Sequence, residues 1–569
     1  MPKTDAPGLE YTMDTKPTPE VEPHPPDEET GPRFNEQTNY VPVKTIITIF
    51  LACASIDLLA LLDQTTLGAS LTIVSKALDA DSERAWIAGA YFLTSTSFQL
   101  LYGRLSDIWS RKVILIFGIA IFFFGSLAAS LAQSAVQLII FRAFTGAGGG
   151  GLMTVAQLIV SDIVPLRERG KYQGILGSVV ALANGIGPII GGALASQSPD
   201  SWRWIFRLNL FTSLLATSAV IFFMPLRKVH GAWKESISEF NAKRTRKVAA
   251  IDFFGAFLAL AGSTLLVLAL TWAGGEHPWE SAHVVATLVV GVAVSAGFIL
   301  WQWKGTSVPL VSMEIFTSKV VNGAMLTMFV NGWNFLVQIF YIPSFYQLVY
   351  GYSAVKSGAL LLPITLTQSL VVHWTGRYRE CLLIGWAVWA IALGLLSTLD
   401  SPSLGKQIGY SLLAGFGLGN TLQPSLIAVQ AGAERKHMAV VTSTRNFIRN
   451  LGGTLGLAIS GTIINNAVRH SLAPYGLSRK ELNLLLNSPD LFRELVGTQR
   501  MDQIRASLTL AYKEGFRIIF IVGAALNAIA FVAAWFLMPQ IELAREDDAQ
   551  LKEEGKKRHE ERLKKASKA

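Results

Sequence analysis

The sequence has 569 residues, 51% of them hydrophobic and only 16% charged, where a soluble protein carries about 25% charged residues. Repeated apolar runs of about 18 residues or more make it a polytopic membrane protein. The net charge of +9 does not point to nucleic acid, because the basic residues sit mostly in loops on one side of the membrane, and Cys53 and Cys381 both fall in apolar segments, which gives no disulfide or metal framework.

Met1 to Tyr40 is rich in Pro, Glu and Thr and lacks the apolar core of a cleaved signal, so residues 1–44 read as a disordered cytoplasmic tail. Fourteen apolar spans follow, near 46–67, 86–104, 113–132, 136–160, 171–195, 204–224, 251–272, 283–302, 320–342, 354–372, 381–399, 407–430, 446–466 and 516–538. This is an all-α pattern. Its spacing divides into a six-helix bundle (45–225), a cytoplasmic loop (226–250) ending KRTRK, and two intervening helices (251–303). A second six-helix bundle (318–539) includes a polar outer loop (468–514), and a charged cytoplasmic tail (540–569) closes the chain.

An even number of spans puts both termini on one side. The gaps Gly274 to Ala282 and Pro343 to Ser353 contain no Lys or Arg. The alternate gaps contain Arg104, Arg111 and Lys112, then Arg167, Arg169 and Lys171, then Lys243 to Lys247, Arg377 with Arg379, and Arg435 with Lys436. The basic loops and both termini are therefore predicted cytoplasmic. Gly103 to Lys112 and Ser369 to Tyr378 each place a small residue and then Arg between paired spans. This weak internal echo fits two related halves around a midplane site.

The most informative stretch runs from Leu138 to Leu194. Its first span holds one arginine, Arg142, followed by five glycines within nine residues. A lone arginine in apolar sequence needs a buried partner or a watery path, and glycines let membrane helices approach closely. A transport pathway is the functional reading; an arginine snorkelling to the interface is the structural one. On the first span, Asp57 and Asp63 lie roughly 9 Å apart along the helix axis and about 120° apart around it. At most one of them therefore meets a substrate directly. In the second half, Asn331, Asn334 and Gln338 stand at i, i+3 and i+7 in NGWNFLVQ, on one helix face. Gln423 and Pro424 follow a glycine-rich run. With Gln64 these amides form a candidate cavity wall, which suits a largely hydrophobic ligand, whereas Tyr341 to Tyr350 reads as an interfacial aromatic belt. No phosphate-binding loop, metal spacing or Ser/His/Asp set appears, so neither an enzyme, nor a cofactor, nor ATP-driven transport is expected.

Three motifs on consecutive spans resemble the major facilitator superfamily. GRLSDIWSRKVIL is similar to its loop between helices two and three: Gly103, Leu105, Asp107, Arg111 and Lys112 match, and Ser110 replaces the second glycine. The resemblance implies a conformational latch. Arg142 and Gly146 match the helix-four motif of proton-coupled members, with Thr145 where Gln is usual; this implies an arginine that tunes the proton affinity of an acid. ALANGIGPIIGG resembles the antiporter motif through Gly187, Pro188, Gly191 and Gly192, with Ala183 in place of the leading glycine, and implies export in exchange for protons. Leu62-Asp63-Gln64-Thr65 looks like the signature of the fourteen-helix drug:proton antiporter family, and implies Asp63 as proton carrier or cation contact, since burial favours the neutral form of a carboxylic acid. The runs VSDIVPLRERGKYQG, SWRWIFRLN, NGWNFLVQ and RNFIRNLGGTLG look like the fungal efflux-pump branch.

The resemblance covers Ile46 to Pro539 and implies a major facilitator fold of two six-helix bundles plus two intervening helices. The sequence departs from it in one place. Between Leu362 and His373 the family has about ten more residues, which leaves the tenth span barely able to cross about 30 Å and predicts loosened packing there. The implied function is a proton-coupled efflux antiporter, driven by the proton gradient without a cofactor. It would export small hydrophobic or amphipathic compounds such as drugs, toxins or secondary metabolites, as a monomer in the plasma membrane. An uptake or vacuolar transporter of amino acids or siderophores, and a nontransporting receptor or scaffold, are the alternatives. Asp63, with Asp57 and Arg142, is expected to couple protons.

Overall fold

In a computed structural model, the described residues are 43–78, 84–164, 166–195, 197–198, 200–224, 251–273, 277–370, 377–434, 437–477, 481, 498–541 and 557. Their α-helices are α1 (Val43–Ala77), α2 (Arg84–Ile108), α3 (Arg111–Ser130), α4 (Ala135–Ile163), α5 (Leu166–Ala195), α6 (Arg203–Phe223), α7 (Phe253–Trp272) and α8 (Ala282–Leu300). After two short turns follow α9 (Lys319–Tyr350), α10 (Ala354–Ala359), α11 (Leu362–Leu370), α12 (Tyr378–Leu396), α13 (Leu404–Ala431), α14 (Met438–Leu472) and α15 (Thr498–Leu537). Among the described residues, eleven helices are long and apolar enough to cross a membrane, and α2, α5 and the α10–α11 pair occupy the other three predicted spans. Most of the terminal tails, the whole 226–250 loop and much of the 468–514 loop lie outside the described residues.

Helices α1 to α6 pack mainly on one another, and so do α9 to α15. Helix α7 lies against α8, α2 and α14; Ser97 meets Ser263 at 3.1 Å, and Thr462 donates to the carbonyls of Leu270 and Ala273. Across the halves α2 and α4 meet α14, while α5 meets α10, α11 and α13. The lipid boundary is plainest on α8, where Val285, Val289, Val290, Val292 and Ile299 are exposed. Lipid is as apolar as they are, so their exposure there costs nothing that burial in a core would recover. Local chemistry sets the helix starts: Ser110, Ser134, Ser281 and Ser353 each accept a first-turn N–H. Ser110, the residue standing where the family motif has glycine, thereby caps α3.

Three predicted boundaries shift. Pro343 sits inside α9, which continues to Tyr350 and ends where Gly351 turns left-handed at φ 68°, with the N–H of Tyr352 returning to the carbonyl of Tyr346. A proline removes one donor and bends a helix without having to end it. Of the aromatics expected as a belt, Phe345 and Tyr346 are instead buried, with Phe345 packed edge-on to Phe516 and Phe520, while Tyr341 and Tyr350 stay half-buried. The described part of the outer loop, from Thr498, is helical and continuous with the last span, because Ile504, Ala511 and Phe516 carry its buried face onward. The tenth span is broken at Leu360–Leu361 into pieces of six and nine residues, with Pro363 entering the first turn of the second.

Candidate functional site

Asp63 on α1 and Arg142 on α4 form a fully buried ion pair. Arg142 Nη1 lies 2.9 and 2.7 Å from the two carboxylate oxygens, and the side chains are 1% and 0% exposed. Asn209 of α6 donates its amide N–H to Asp63 Oδ1 at 2.6 Å. The Tyr91 ring lies 4.5 Å from the guanidinium carbon, and Gln64 donates to the Tyr91 hydroxyl at 3.3 Å. The cation–π contact and the amide thus help to hold charges that lipid alone would penalise. Arg142 Nε and Asn209 Oδ1 keep no hydrogen-bond partner among the described residues. Asp57 stands apart from this group: it is buried, and its Oδ1 is likewise without a partner.

Glycines set the spacing around the pair. A Cβ on Gly146, Gly149 or Gly150 would overlap Tyr91, Thr94 or Ser95 of α2, and one on Gly148 would strike the backbone of α3. On the other side of α1, a Cβ on Gly187 would overlap Thr65, and one on Gly191 would overlap the carbonyl of Thr66. Thr65 also donates to the Ala183 carbonyl of α5 at 3.3 Å. Gly192 has open space around it. Pro188 faces across the halves, where a Cβ on Gly358 of α10 would sit 3.1 Å from it.

The residues expected to form the latch bind mostly within their own half. Arg111 pairs with Asp162 at the end of α4, at 3.1 Å. Lys112 donates to the Ile221 and Met224 carbonyls at 2.9 and 2.5 Å, capping the end of α6. The cross-half contact comes from Gly103, where a Cβ would lie 2.5 Å from Ser443 of α14. Nearby, Asn446 of α14 donates to Gln157 and Thr154 of α4 at 2.9 and 3.3 Å. The Asp107 side chain lies outside the described residues.

The expected amide wall is split. Gln338 lines a cavity between the halves of about 10 Å³, together with Asn184, Phe335, Thr365 and apolar residues, which leaves room for about one water. Asn331 donates to Thr421 and accepts from Arg449. Asn334 turns to α15 instead, donating to the Gly523 carbonyl and to Asn527; a step of three residues rotates it about 60° off Asn331. Gln423 is half-buried and is not among the residues lining the cavity. Sequence reasoning passed over Asn184, Asn209, Tyr91, Arg445 and Arg449. For Arg449 the signal was present, since it is a cation inside the span expected at 446–466, the argument applied to Arg142, whereas Arg445 falls just before that span. Among the described residues, no three His, Cys, Asp or Glu side chains gather to hold a metal ion.

Stacked apolar helices around a buried charge pair, with a small and largely apolar cavity between two helical groups, are the architecture of a multi-pass membrane transporter. The sequence pattern of the Major Facilitator Superfamily matches residues 53–457, and the chain belongs to that family. Membership makes it a transporter of small molecules rather than an enzyme. Its relatives include Citrate exporter 1 of Yarrowia lipolytica, 30% identical over 88% of this chain and 74% of that protein. Efflux pump dotC of Dothistroma septosporum is 31% identical over 75% and 73% of the two chains, and the MFS-type efflux pump LUC4 of a Fusarium species is 29% identical over 86% and 87%. Among solved structures, the proton:xylose symporter XylE aligns with a TM-score of 0.55 at 13% identity, over 89% of this chain and 98% of that one. The human organic anion transporter MFSD10 aligns at 0.54 and 14% identity, over 87% and 100%. These two show the same fold.

Proposed function

We propose that the chain is a proton-coupled efflux antiporter for small hydrophobic or amphipathic organic compounds, working by alternating access. The observation that carries this reading is the buried Asp63–Arg142 pair. Protonation of Asp63 removes the charge that holds Arg142 and leaves Asn209 as its neighbour. Helix α1 is then freed from α4 while staying keyed to α5 through Thr65, Gly187 and Gly191. Helix α5 in turn faces α10 and α11 through Pro188 and Gly185, so a proton taken up at Asp63 is felt at the surface between the halves. The fungal efflux pumps among its relatives favour export over uptake. The basic loops favour cytoplasmic termini, and we place the transporter in the plasma membrane as a monomer.

The test is transport in proteoliposomes with an imposed proton gradient, using tritiated 1-naphthoate and rhodamine 6G as probes and protein-free liposomes as control. Antiport accumulates a probe on the acidic side, and Asp63→Asn abolishes the accumulation. A gradient without effect, or coupling that survives in Asp63→Asn, sinks the mechanism.

A further inference from the structure

The second half holds two arginines in its interior, Arg445 and Arg449, one turn apart on α14. Helices α9, α10, α11, α13 and α14 contain no Asp or Glu at all. Arg445 is fully buried and satisfied by neutral acceptors: Nη2 donates to the Leu422 carbonyl at 2.6 Å and to Ser425 at 2.9 Å, and Nη1 to Asn446 at 3.0 Å. Arg449 is only half-buried. Its Nε donates to Asn331 Oδ1 at 2.9 Å, and its guanidinium carbon lies 4.6 Å from the Phe335 ring. Asn331 is itself fixed by donating to Thr421 at 3.0 Å. The terminal amino groups of Arg449 make no hydrogen bond with the described residues.

The Phe335 ring beneath Arg449 also lines the cavity between the halves. Two amides from opposite halves, Asn184 of α5 and Gln338 of α9, line it as well, and all four of their polar atoms are buried without a hydrogen-bond partner. Buried amides are normally satisfied, and a cation at membrane depth without a counter-ion is expensive. One ligand chemistry answers both deficits. A carboxylate supplies the missing negative charge to a guanidinium fork, and further oxygens accept from the amide N–H groups. Ile339, Leu361, Ile364 and Leu418 offer apolar walls for the rest of the molecule.

We propose that this cavity, opened when the halves part, binds small amphipathic organic anions, with their carboxylate on Arg449 and their polar edge on Asn184 and Gln338. This names the substrate class for the transport reading above and rests on it only in taking the cavity as the substrate's path.

The test is equilibrium binding of tritiated 1-naphthoate to the full chain in nanodiscs at neutral pH, competed with unlabelled 1-naphthoate or with its neutral counterpart 1-naphthamide. No gradient is applied, so failure of proton coupling leaves this measurement intact, and failure here leaves that one intact. Saturable binding is expected, displaced by naphthoate and not by naphthamide. Arg449→Gln weakens it by about tenfold or more, as expected for losing a charge-assisted pair, while Arg449→Lys restores part of it. Gln338→Ala, which removes an amide without a hydrogen-bond partner among the described residues, leaves the fold intact and weakens binding of 6-hydroxy-1-naphthoate, whose hydroxyl supplies the polar edge, several-fold more than that of 1-naphthoate, so the assignment does not depend on Arg449→Gln folding. Equal displacement by naphthamide, unchanged naphthoate affinity in Arg449→Gln, or no saturable binding up to about 1 mM overturns the proposal.

Discussion

Thr65 on α1 fills the notch left by Gly187 on α5: a Cβ at Gly187 would overlap its hydroxyl, which donates to the Ala183 carbonyl at 3.3 Å. Two motifs more than a hundred residues apart are thus one packing unit, joining the helix that carries Asp63 to the helix that faces the other half.

That packing separates two adjacent glycines. Gly191→Ala drives a methyl into the Thr66 carbonyl, and overpacking of this kind costs about 1–3 kcal/mol. Gly192→Ala meets nothing within 4 Å and relieves an unfavourable helix residue by up to about 1 kcal/mol. Thermal unfolding in nanodiscs should rank Gly192→Ala at or above the parent and Gly191→Ala below it. Equal melting temperatures for the two variants would mean that α1 and α5 are not this close.

The charge pair should show strong non-additivity. Arg142→Gln leaves the Asp63 carboxylate buried beside an amide, and breaking a buried pair from one side costs about 3–5 kcal/mol. Asp63→Asn combined with Arg142→Gln removes both charges and should recover much of that loss. A double-mutant cycle on unfolding free energy measures the coupling; simple addition of the two single effects would contradict the geometry.

The Asn446–Gln157 contact ties α14 to α4 beside the tight Gly103–Ser443 approach. Asn446→Ala should loosen that end and raise the population in which the halves are parted there. Spin labels on the ends of α2 and α14 would report a longer distance distribution in the variant, and an unchanged distribution would demote the contact to local packing.

A surface tie gives a pH signature. Lys513 of α15 holds the Asp400 carboxyl below the usual carboxylate range, through a 2.9 Å hydrogen bond first and its charge second. A depressed folded-state value means that the contribution to stability is present above the ordinary carboxylate pKa and is lost as pH falls through the lower folded value. The gap in melting temperature between the parent and Asp400→Asn should therefore be open at neutral pH, close in strong acid, and shrink in high salt because the carboxylate is exposed. A gap that is constant across pH would remove the tie from the account.

The spans were legible because lipid demands long apolar runs: the fourth was expected at 136–160 and runs Ala135–Ile163, the sixth at 204–224 and runs Arg203–Phe223. Hydropathy cannot see where a helix leaves the bilayer and continues, which is why α1, α9, α14 and α15 outrun their predicted ends. Periodicity placed Asn331, Asn334 and Gln338 on one face, but a helix in a bundle has neighbours on every side, and Asn334 found α15. Asp63 and Arg142 could each be picked out singly. That they meet, with Asn209 supplying a third contact, depends on how α1, α4 and α6 pack, and no local pattern encodes that.

The glycine run of α4 has a mechanical consequence. Where Gly146, Gly148 and Gly150 lie against α2 and α3, an added Cβ would strike neighbouring backbone, while Gly149 and Gly151 leave room for the Tyr91 hydroxyl and the Tyr102 ring. Those three helices are therefore packed with little room between them, whereas the tenth span, cut at Leu360–Leu361, meets Pro188 on the opposite side through Gly358. Any displacement of α4 must therefore carry α2 and α3 with it.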